Sequence, residues 1–465
     1  MFEKRIILND LKNNNSIMRR ILKMAFLAAL LLTAAGTTEA QRKWTLRECL
    51  DYALEHNIQL QQSRLTQLQD EEDIKQRRAT LLPSLSFSTN HNASWRPWSQ
   101  SFVNLSGGTM TTTSSEVNYN GSYGLNASWT VWNGGRNQKN LEKSKLTAEK
   151  AAYDTEESAN SIQEQITQYY VQILYEAEAV RVAEQVLEAS KMQRDRAAEM
   201  VHVGSLARVD LKQLEAQVSQ DEYNVVNAQT QLNNYKLRLK QLLELVGTED
   251  FDVATPDVSD ESVLAPIPSK EAVYANAYAV RPEIQGDKLN VESSELDINI
   301  ARRGYLPSVS MSAGIGTSTS SGVNTAMTEQ MRRNLNNSVG LMISVPIFDN
   351  RTNRTNVQKA KLSKEAADLT LQNTEQELYQ QIETYWLNAH NAQQQYVAAK
   401  ANVESMRETY GLVSEQFRLG LKNIVELTTG KNNLLQAEQQ LLQAKYTALL
   451  NLAMLRFYQG QPISL

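Results

Sequence analysis

The longest regular pattern in the chain lies between residues 136 and 203, a stretch without glycine or proline. Apolar residues recur there every three or four positions, which predicts a helix with one apolar stripe. At about 1.5 Å per residue, such a helix extends on the order of 100 Å, so it requires neighbouring helices along its side. Gly204 ends this helix, and a second helix is predicted over residues 207–246. The pattern therefore predicts a long helical hairpin.

A period of two appears in other stretches. From residue 119 to 131, apolar or aromatic residues alternate with asparagine, serine, threonine and glycine. The same alternation occurs over residues 308–318 and 338–347, which predicts strands with one apolar face. A fourth, less regular strand begins near Leu85. Residues 105–115, rich in glycine, serine and threonine, are predicted to form a loop.

These elements occur twice in the same order. LLPSL around Pro83 corresponds to YLPSV around Pro307, and upstream of the prolines DYALEHNIQ resembles AYAVRPEIQ. Downstream, VWNGGR corresponds to IFDNR, and VGSLARVDL corresponds to LGLKNIVEL. The spacing between these two downstream motifs is the same in both copies, which predicts two hairpins of equal length. We infer an internal repeat.

The repeat divides the chain into parts. Pro83 and Pro307 end the first helix of each copy and lead into the strands. The first copy is predicted at residues 41–246, with a strand pair at 84–132 and a hairpin tip near 204. A proline-containing surface connector follows at 247–269. The second copy is predicted at 270–465, with a strand pair at 308–348 and a tip near 420.

Residues 1–40 have the features of an export signal. Basic residues from Arg19 precede an apolar run, and small residues end at Ala40; the stretch before Met18 is interpreted as an over-extended start. Removing this segment changes the net charge from −5 to about −8, and a mildly acidic surface argues against a nucleic-acid partner. The single cysteine, Cys49, permits no intrachain disulfide and is interpreted as an apolar helix position.

The strands restrict the possible assemblies. Four strands cannot close a barrel, and a sheet that crosses a membrane cannot leave its edges unpaired. Two chains would supply eight strands, whose interior is filled by side chains, whereas three chains would supply twelve and leave a lumen. The alternative for the strands alone is a soluble sandwich.

The order and duplication of these motifs, with LPS at the strand entries and V-G or L-G at the hairpin tips, resemble the TolC family of outer-membrane efflux proteins. The resemblance covers nearly the whole chain after residue 40. It implies an α+β membrane protein in the outer membrane of a Gram-negative bacterium. Each chain of a homotrimer would give four strands to a twelve-stranded β-barrel and helical hairpins to a coiled-coil periplasmic tunnel. The implied partners are outer-membrane lipid, a periplasmic adaptor and an inner-membrane RND or ABC pump.

The implied function is an exit duct for efflux or type I secretion rather than an enzyme. The four histidines show no metal-ligand spacing, and no nucleophile motif or phosphate loop is present in the sequence. We therefore expect no catalytic residues and no cofactor. A periplasmic coiled-coil adaptor or scaffold without a pore is the main alternative, and a helical enzyme is a third.

By resemblance, the two hairpin tips contact the adaptor. The glycines of both tips also have a purely structural interpretation, because glycine allows the left-handed backbone that ends many helices. Ser205 departs from the V-G-L that is usual in the family. The tip residues are Val203, Gly204, Ser205 and Leu206 in the first copy, and Leu419, Gly420 and Leu421 in the second.

Asp210 and Glu426 lie at matching positions just after the tips. In a trimer, six carboxylates would ring a narrow aperture and attract cations, as charged rings do in other pores. The alternative is a solvated acid in the first turn of a helix. By resemblance, Phe417 and Lys422 help to hold the entrance shut, with Phe417 in place of a tyrosine, and Thr429 stands where a further acid is common.

Aromatic residues are concentrated in the first strand pair. Trp129, Trp132, Tyr119 and Tyr123 are predicted to form a girdle at the membrane interface, with ordinary strand packing as the alternative.

Overall fold

The computed structural model describes residues 43–105, 108–247, 251–321 and 325–465, and the side chains of residues 99–116 are not described. The predicted export signal at residues 1–40 lies outside the described residues.

The first copy of the repeat contains two short helices, a strand pair and a long helical hairpin. Its elements are β1 (Lys43–Trp44), α1 (Leu46–His56), α2 (Ile58–Ala79), β2 (Ser84–Leu105), β3 (Gly108–Trp132), α3 (Arg136–His202) and α4 (Arg208–Leu242).

The connector and the second copy together have the same order with three additions. Their elements are β4 (Asp252–Val253) and α5 (Asp260–Val263) in the connector, then α6 (Lys270–Val280), α7 (Pro282–Arg302), a single 3-10 turn (Arg303–Tyr305), β5 (Ser308–Ser320), α8 (Met327–Arg333), β6 (Asn336–Ser344), α9 (Thr352–Arg418) and α10 (Ile424–Tyr458).

The repeat inferred from the sequence is therefore present in the fold. The two long helices α3 and α9 each contain 67 residues, and the returning helices α4 and α10 each contain 35. The strand pairs differ, because β2 and β3 have 22 and 25 residues whereas β5 and β6 have 13 and 9.

The predicted first helix of each copy is divided in two by the structure. In the first copy the break is at Asn57, whose side chain accepts a hydrogen bond from the amide of Leu60 and so begins α2. In the second copy the break is at Arg281, where the following Pro282 occupies the first position of α7. In the sequence alignment of the two copies the breaks lie two residues apart, since Asn57 falls opposite Glu283.

Two predicted strand boundaries were wrong. The loop expected at residues 105–115 is largely strand, because its threonines and serines suit an extended hairpin and β3 begins at Gly108. The last strand ends at Ser344 rather than Ile347, since Pro346 lacks the amide needed to continue the ladder. Helix α8, between β5 and β6, was not predicted.

The chain divides into two compact units. The first contains the described residues up to Asp51 together with Tyr169–Asp257. In this unit β1 and β4 pair in parallel, and the hydroxyl of the buried Tyr170 donates to the carbonyl of Ala254 at 2.6 Å. Cys49 is fully buried, and burial, followed by the charge of Glu48, raises the pKa of its thiol to about 12. This environment agrees with an apolar helix position.

The second unit contains Tyr52–Gln168 and Val258–Leu465. Its main apolar core packs α6, α7, α9 and the end of α10, and full burial of a large aliphatic side chain stabilises by about 1.5–3 kcal/mol. Core residues include Val273, Ala277, Ile284, Ile382, Tyr385, Met454 and Leu455.

The predicted connector contains secondary structure and is partly anchored. Val263 of α5 is fully buried beside Tyr396 and Ala448. The side-chain amide of Gln393 donates to the carbonyls of Val263 and Ala265, both at 2.8 Å. These contacts hold the connector against α9.

The four long strands form one antiparallel sheet in the order β2-β3-β5-β6. Strands β2 and β6 are its edges. Among the helices of the described residues, none is both long and apolar enough to cross a membrane.

Candidate functional site

The first hairpin tip ends α3 with a left-handed glycine. Gly204 has φ +77°, and the amide of Ser205 donates to the carbonyl of Met200 at 2.8 Å, which satisfies one of the last helix carbonyls. The hydroxyl of Ser205 donates to the same carbonyl at 3.0 Å. Ser205 therefore has a local structural role. Val203 is 72% exposed, and Leu206 is half-buried.

The second tip repeats this geometry at the end of α9. Gly420 has φ +74°, and the amide of Leu421 donates to the carbonyl of Gln416 at 2.9 Å. Leu419 and Leu421 are exposed, the latter by 72%. A Cβ added to either tip glycine would meet no atom within 4 Å. Backbone conformation rather than space therefore favours glycine at both positions.

The two helices that follow the tips begin differently. Asn423 caps α10, because its side chain accepts from the amide of Glu426 at 3.0 Å while the carboxylate of Glu426 accepts from the amide of Asn423 at 3.2 Å. At the start of α4 the corresponding residue is Ala207, which makes no side-chain cap. Asp210 and Glu426 occupy the same position, the third residue of their helices.

The two predicted aperture acids therefore differ in their partners. Lys422 forms an ion pair with Glu426, one turn apart at the tip. The hydrogen bond from the Lys422 ammonium to the Glu426 carboxylate, together with the one from the amide of Asn423, lowers the pKa of Glu426. Asp210 makes no ion pair within the described part of the chain. Asp210 and Glu426 belong to different compact units, and each site is described by itself.

The other predicted aperture residues have distinct environments. Phe417 is buried in the last turn of α9, so it belongs to the core of its hairpin. Thr429 is exposed on α10. Sequence reasoning did not identify Asn423, although the motif Asn-Ile-Val-Glu has the pattern of a capping box.

Pro83 and Pro307 directly precede β2 and β5, as predicted. At each of these strand entries an asparagine from the first turn of a long helix donates to a backbone carbonyl. The donor and acceptor are Asn137 and Thr80 at 3.5 Å in the first copy, and Asn353 and Gly304 at 2.9 Å in the second. In addition, the guanidinium of Arg303 donates to the carbonyl of Gly134. The two joints between helices and sheet are thus tied together.

The predicted aromatic residues divide between the C-terminal end of β3 and its middle. The indole of Trp129 donates to the carbonyl of Leu81 at 2.9 Å, close to the helix joint, and Trp132 is the last residue of the strand. In the middle of the strand, the hydroxyl of Tyr119 lies 2.6 Å from Nδ1 of His91, and the ring of Tyr123 packs edge-on against the same histidine.

The two faces of the sheet differ in polarity. In register, Phe87 pairs with Leu125, which pairs with Ile315, and Met311 pairs with Leu341. On the opposite face the hydroxyls of Ser84 and Ser128 lie 2.8 Å apart, and Asn126 donates to Ser88 at 3.3 Å. The apolar face is exposed, since Val339 is 75% and Leu341 66% accessible. The chain therefore presents an apolar sheet surface joined to long helical hairpins.

This architecture defines a class of proteins that combine an exposed apolar sheet face with long helical hairpins, and comparisons with known proteins give the family. The family described as "Outer membrane efflux protein" matches residues 49–244 and 273–461, one segment in each copy of the repeat. The chain belongs to the outer membrane efflux protein family, and its location is the outer membrane.

Individual relatives are distant. The outer membrane protein TolC of Escherichia coli strain K12 is 24% identical over 288 residues, which cover 61% of this chain and 58% of TolC. The alkaline protease secretion protein AprF of Pseudomonas aeruginosa is 24% identical over 248 residues, covering 52% of this chain and 50% of AprF. The matches thus span about half to three fifths of these relatives.

Solved structures share the fold over a larger part. The Campylobacter jejuni CmeC outer membrane channel aligns with a TM-score of 0.72 at 20% identity, over 90% of this chain and 87% of CmeC. The Neisseria gonorrhoeae MtrE outer membrane channel aligns with a TM-score of 0.72 at 20% identity, over 90% of this chain and 89% of MtrE.

Proposed function

We propose that this chain is one subunit of a trimeric exit duct, which conducts substrates passively across the outer membrane. The observation that carries the proposal is the sheet, which has one exposed apolar face, one polar face and two edge strands, β2 and β6. An apolar face of this kind suits lipid, and the polar face suits an aqueous lumen.

The open edges favour a shared barrel. In lipid an unpaired edge would leave backbone amides and carbonyls without partners, at a cost of several kcal/mol per group. Pairing β2 of one subunit with β6 of the next satisfies both edges, and three subunits supply twelve strands around a lumen.

The helices would continue the lumen on the periplasmic side. A 67-residue helix extends about 100 Å, and α9 carries exposed apolar residues that would pack against a neighbouring subunit. These residues are Leu362, Leu369, Leu387 and Val397.

The tips would contact a periplasmic adaptor that connects the duct to an inner-membrane RND or ABC pump. Exposed Val203, Leu419 and Leu421 provide apolar contacts at the ends of the hairpins. The names of two relatives support a transport role, since TtgC is called an efflux pump outer membrane protein and AprF an alkaline protease secretion protein.

Asp210 and Glu426 of all three subunits would line the aperture. Because Lys422 and Asn423 already compensate the carboxylate of Glu426, Asp210 would contribute more of the negative field at the entrance.

Single-channel conductance of the purified trimer in a planar bilayer tests this function. We expect a small, cation-preferring conductance in the native protein. Asp210→Ala should increase the conductance and reduce the cation preference by a larger factor than Glu426→Ala does. Glu404→Ala, which removes an exposed acid from α9 before the tip, is the matched control and should change neither quantity.

Three results would alter the proposal. Unchanged conductance in both tip variants would remove the aperture role and leave the duct. Folded protein that forms no channel and is absent from outer-membrane trimers would favour a periplasmic scaffold. An effect of Glu404→Ala as large as that of Asp210→Ala would show that the field is not localised at the tips.

A further inference from the structure

Arg281 is a buried charge at the break between α6 and α7. Its side chain is 9% exposed, and its guanidinium faces two carboxylates. Nη2 donates to Oε1 of Glu164 on α3 at 3.1 Å, and Nε donates to Oε1 of Glu283 on α7 at 2.8 Å. Both carboxylate side chains are 18% exposed.

Aromatic residues at the end of α10 complete this junction. The ring centroid of Tyr458 lies 4.1 Å from the Arg281 guanidinium carbon, and that of Phe457 lies 5.5 Å away. Tyr458 also lies close enough to the carboxylate of Glu164 to lower its pKa. Arg281 thus ties the middle of α3, from the first copy, to α7 and α10 of the second copy.

The charges of the junction do not balance. One guanidinium faces two carboxylates, and the second oxygen of Glu283 is buried without a hydrogen-bond partner. Burial of an uncompensated carboxylate is costly, and loss of water strengthens the repulsion between the two acids.

Within the part of the chain that the structure describes, the lining of the junction supplies no second unpaired cation. The junction opens on a polar cavity of about 650 Å³, and the other basic residue among its described lining, Lys150, pairs with Asp154 at 2.6 Å. Asp287 of α7 accepts the hydroxyl of Thr374 at 2.7 Å. The titratable groups around Glu164 are Glu157 and Asp154 on its own helix, Arg281, Glu283 and Asp287 at α7, Glu377 and Tyr385 on α9, and Tyr458 on α10.

This charged junction is specific to the second copy of the repeat. The sequence alignment of the two copies places Glu55 opposite Arg281 and Asn57 opposite Glu283. Glu55 is exposed, and Asn57 caps α2. The duplicated architecture therefore does not require a buried arginine at this place.

We propose that the Arg281 junction is a proton-operated latch between the two copies, in which Glu164 takes up a proton as the surroundings acidify and the junction tightens. Protonation removes the uncompensated negative charge and leaves the Arg281–Glu283 pair intact.

The electrostatics of Glu164 support this direction. Burial raises the pKa of Glu164 even though Arg281 and Tyr458 oppose the shift. Burial, and next the charge of Glu164, raise the pKa of Tyr458, so its hydroxyl remains a donor. Because the folded state holds the Glu164 proton more tightly than the unfolded state, this group's contribution to stability is complete below the ordinary pKa of 4.5 and is lost as pH rises through the raised value.

The latch acts on two helices that reach the tips. From Glu164, α3 continues for about 57 Å to its end, and α10 begins about 51 Å before Tyr458. Only the effect on the tips and on conduction rests on the proposed duct, because the pH response of the junction is a property of the fold.

Thermal unfolding of the purified protein at pH 4.5 and 7.5, followed by the loss of helical circular dichroism, tests the latch. We expect the native protein to unfold at a temperature about 2 °C or more higher at pH 4.5. Glu164→Gln should raise the unfolding temperature at pH 7.5 and reduce the difference between the two pH values. Arg281→Gln should lower the unfolding temperature at pH 7.5, and most of this loss should be recovered at pH 4.5, because two buried carboxylates then lack a cation.

Glu176→Gln is the matched control on the same helix. Burial also raises the pKa of Glu176, but its hydrogen-bond partner is Gln172 and not an arginine. The latch is wrong if Glu164→Gln destabilises the protein equally at both pH values, or if the control removes as much of the pH response as Glu164→Gln does. Conductance measured in parallel separates the two proposals, because absence of channels at both pH values contradicts the duct and leaves the thermal result unaffected.

Discussion

Arg351 has a left-handed backbone conformation, with φ +67°, at the turn from the sheet into α9. The corresponding residue before α3 is Gly135, with φ +80°. A residue with a side chain loses about 1–2 kcal/mol in this conformation, whereas glycine loses little. The second copy therefore carries strain that the first copy avoids.

Arg351→Gly should stabilise the folded trimer by about 0.5–1 kcal/mol, because relief of strain exceeds the added entropy of the unfolded chain. The thermal dissociation temperature measures the change. Gly135→Ala is the reverse test and should destabilise, since φ +80° is strained for a residue with a Cβ. A loss of stability in Arg351→Gly would show that the arginine makes compensating contacts.

Single residues also show how far the sequence predicts the site. The glycines of both tips and the prolines before the strands lie where their backbone preferences place them. The pairing of Glu426 with Lys422 was not predicted, although the two residues are one helical turn apart, because resemblance assigned them separate roles.

At the scale of the element, the returning helices differ in their first turns. Helix α10 has the reciprocal cap of Asn423 and Glu426, whereas α4 begins at Ala207 without a side-chain cap. A capping side chain stabilises a helix end by about 1 kcal/mol.

Asn423→Ala should therefore destabilise the first turn of α10 by about 1 kcal/mol, and Ala207→Asn should stabilise the first turn of α4 by a similar amount. Hydrogen–deuterium exchange of peptides from the two tips measures both effects. Exchange should rise roughly fivefold at the second tip in the first variant and fall at the first tip in the other. Equal exchange in native protein and both variants would show that packing rather than capping holds these turns.

Helix lengths were well predicted from the sequence, whereas helix breaks were not. The absence of glycine and proline over residues 136–203 predicted α3 to within a residue of its end. The break at Asn57 lies within a helical pattern. A single asparagine inside such a pattern is only a weak sequence signal that one helix ends and the next one begins. The first part of strand β3, from Gly108, was not predicted because serine and threonine occur both in loops and in exposed strands.

For the whole molecule, the exposed apolar face of the sheet is the feature that would contact lipid in the proposed duct. Leu341 lies on this face, opposite Met311, and the neighbouring Met342 lies on the other face, opposite Ser310. Both side chains are well exposed in the single chain, so burial within the chain does not distinguish them.

Leu341→Lys should reduce assembly of trimers in the outer membrane, since a lysine on a lipid-facing strand costs about 2–4 kcal/mol near the bilayer centre. Met342→Lys places the same charge on the polar face and should assemble nearly as the native protein does. The yield of heat-modifiable trimers in outer-membrane fractions measures both variants. Equal yields would contradict the assignment of the two faces.

The sequence by itself determined the internal repeat, the equal hairpin lengths, the positions of the tips and the alternation of the strands. These features depend on local spacing and backbone preference, which each segment carries alone. Only the tertiary structure decided that Arg281 is buried while its counterpart Glu55 is exposed, and that Glu164 and Tyr458 meet at that arginine. Contacts between residues more than a hundred positions apart depend on how the helices pack, and that packing has no periodic signal in the sequence.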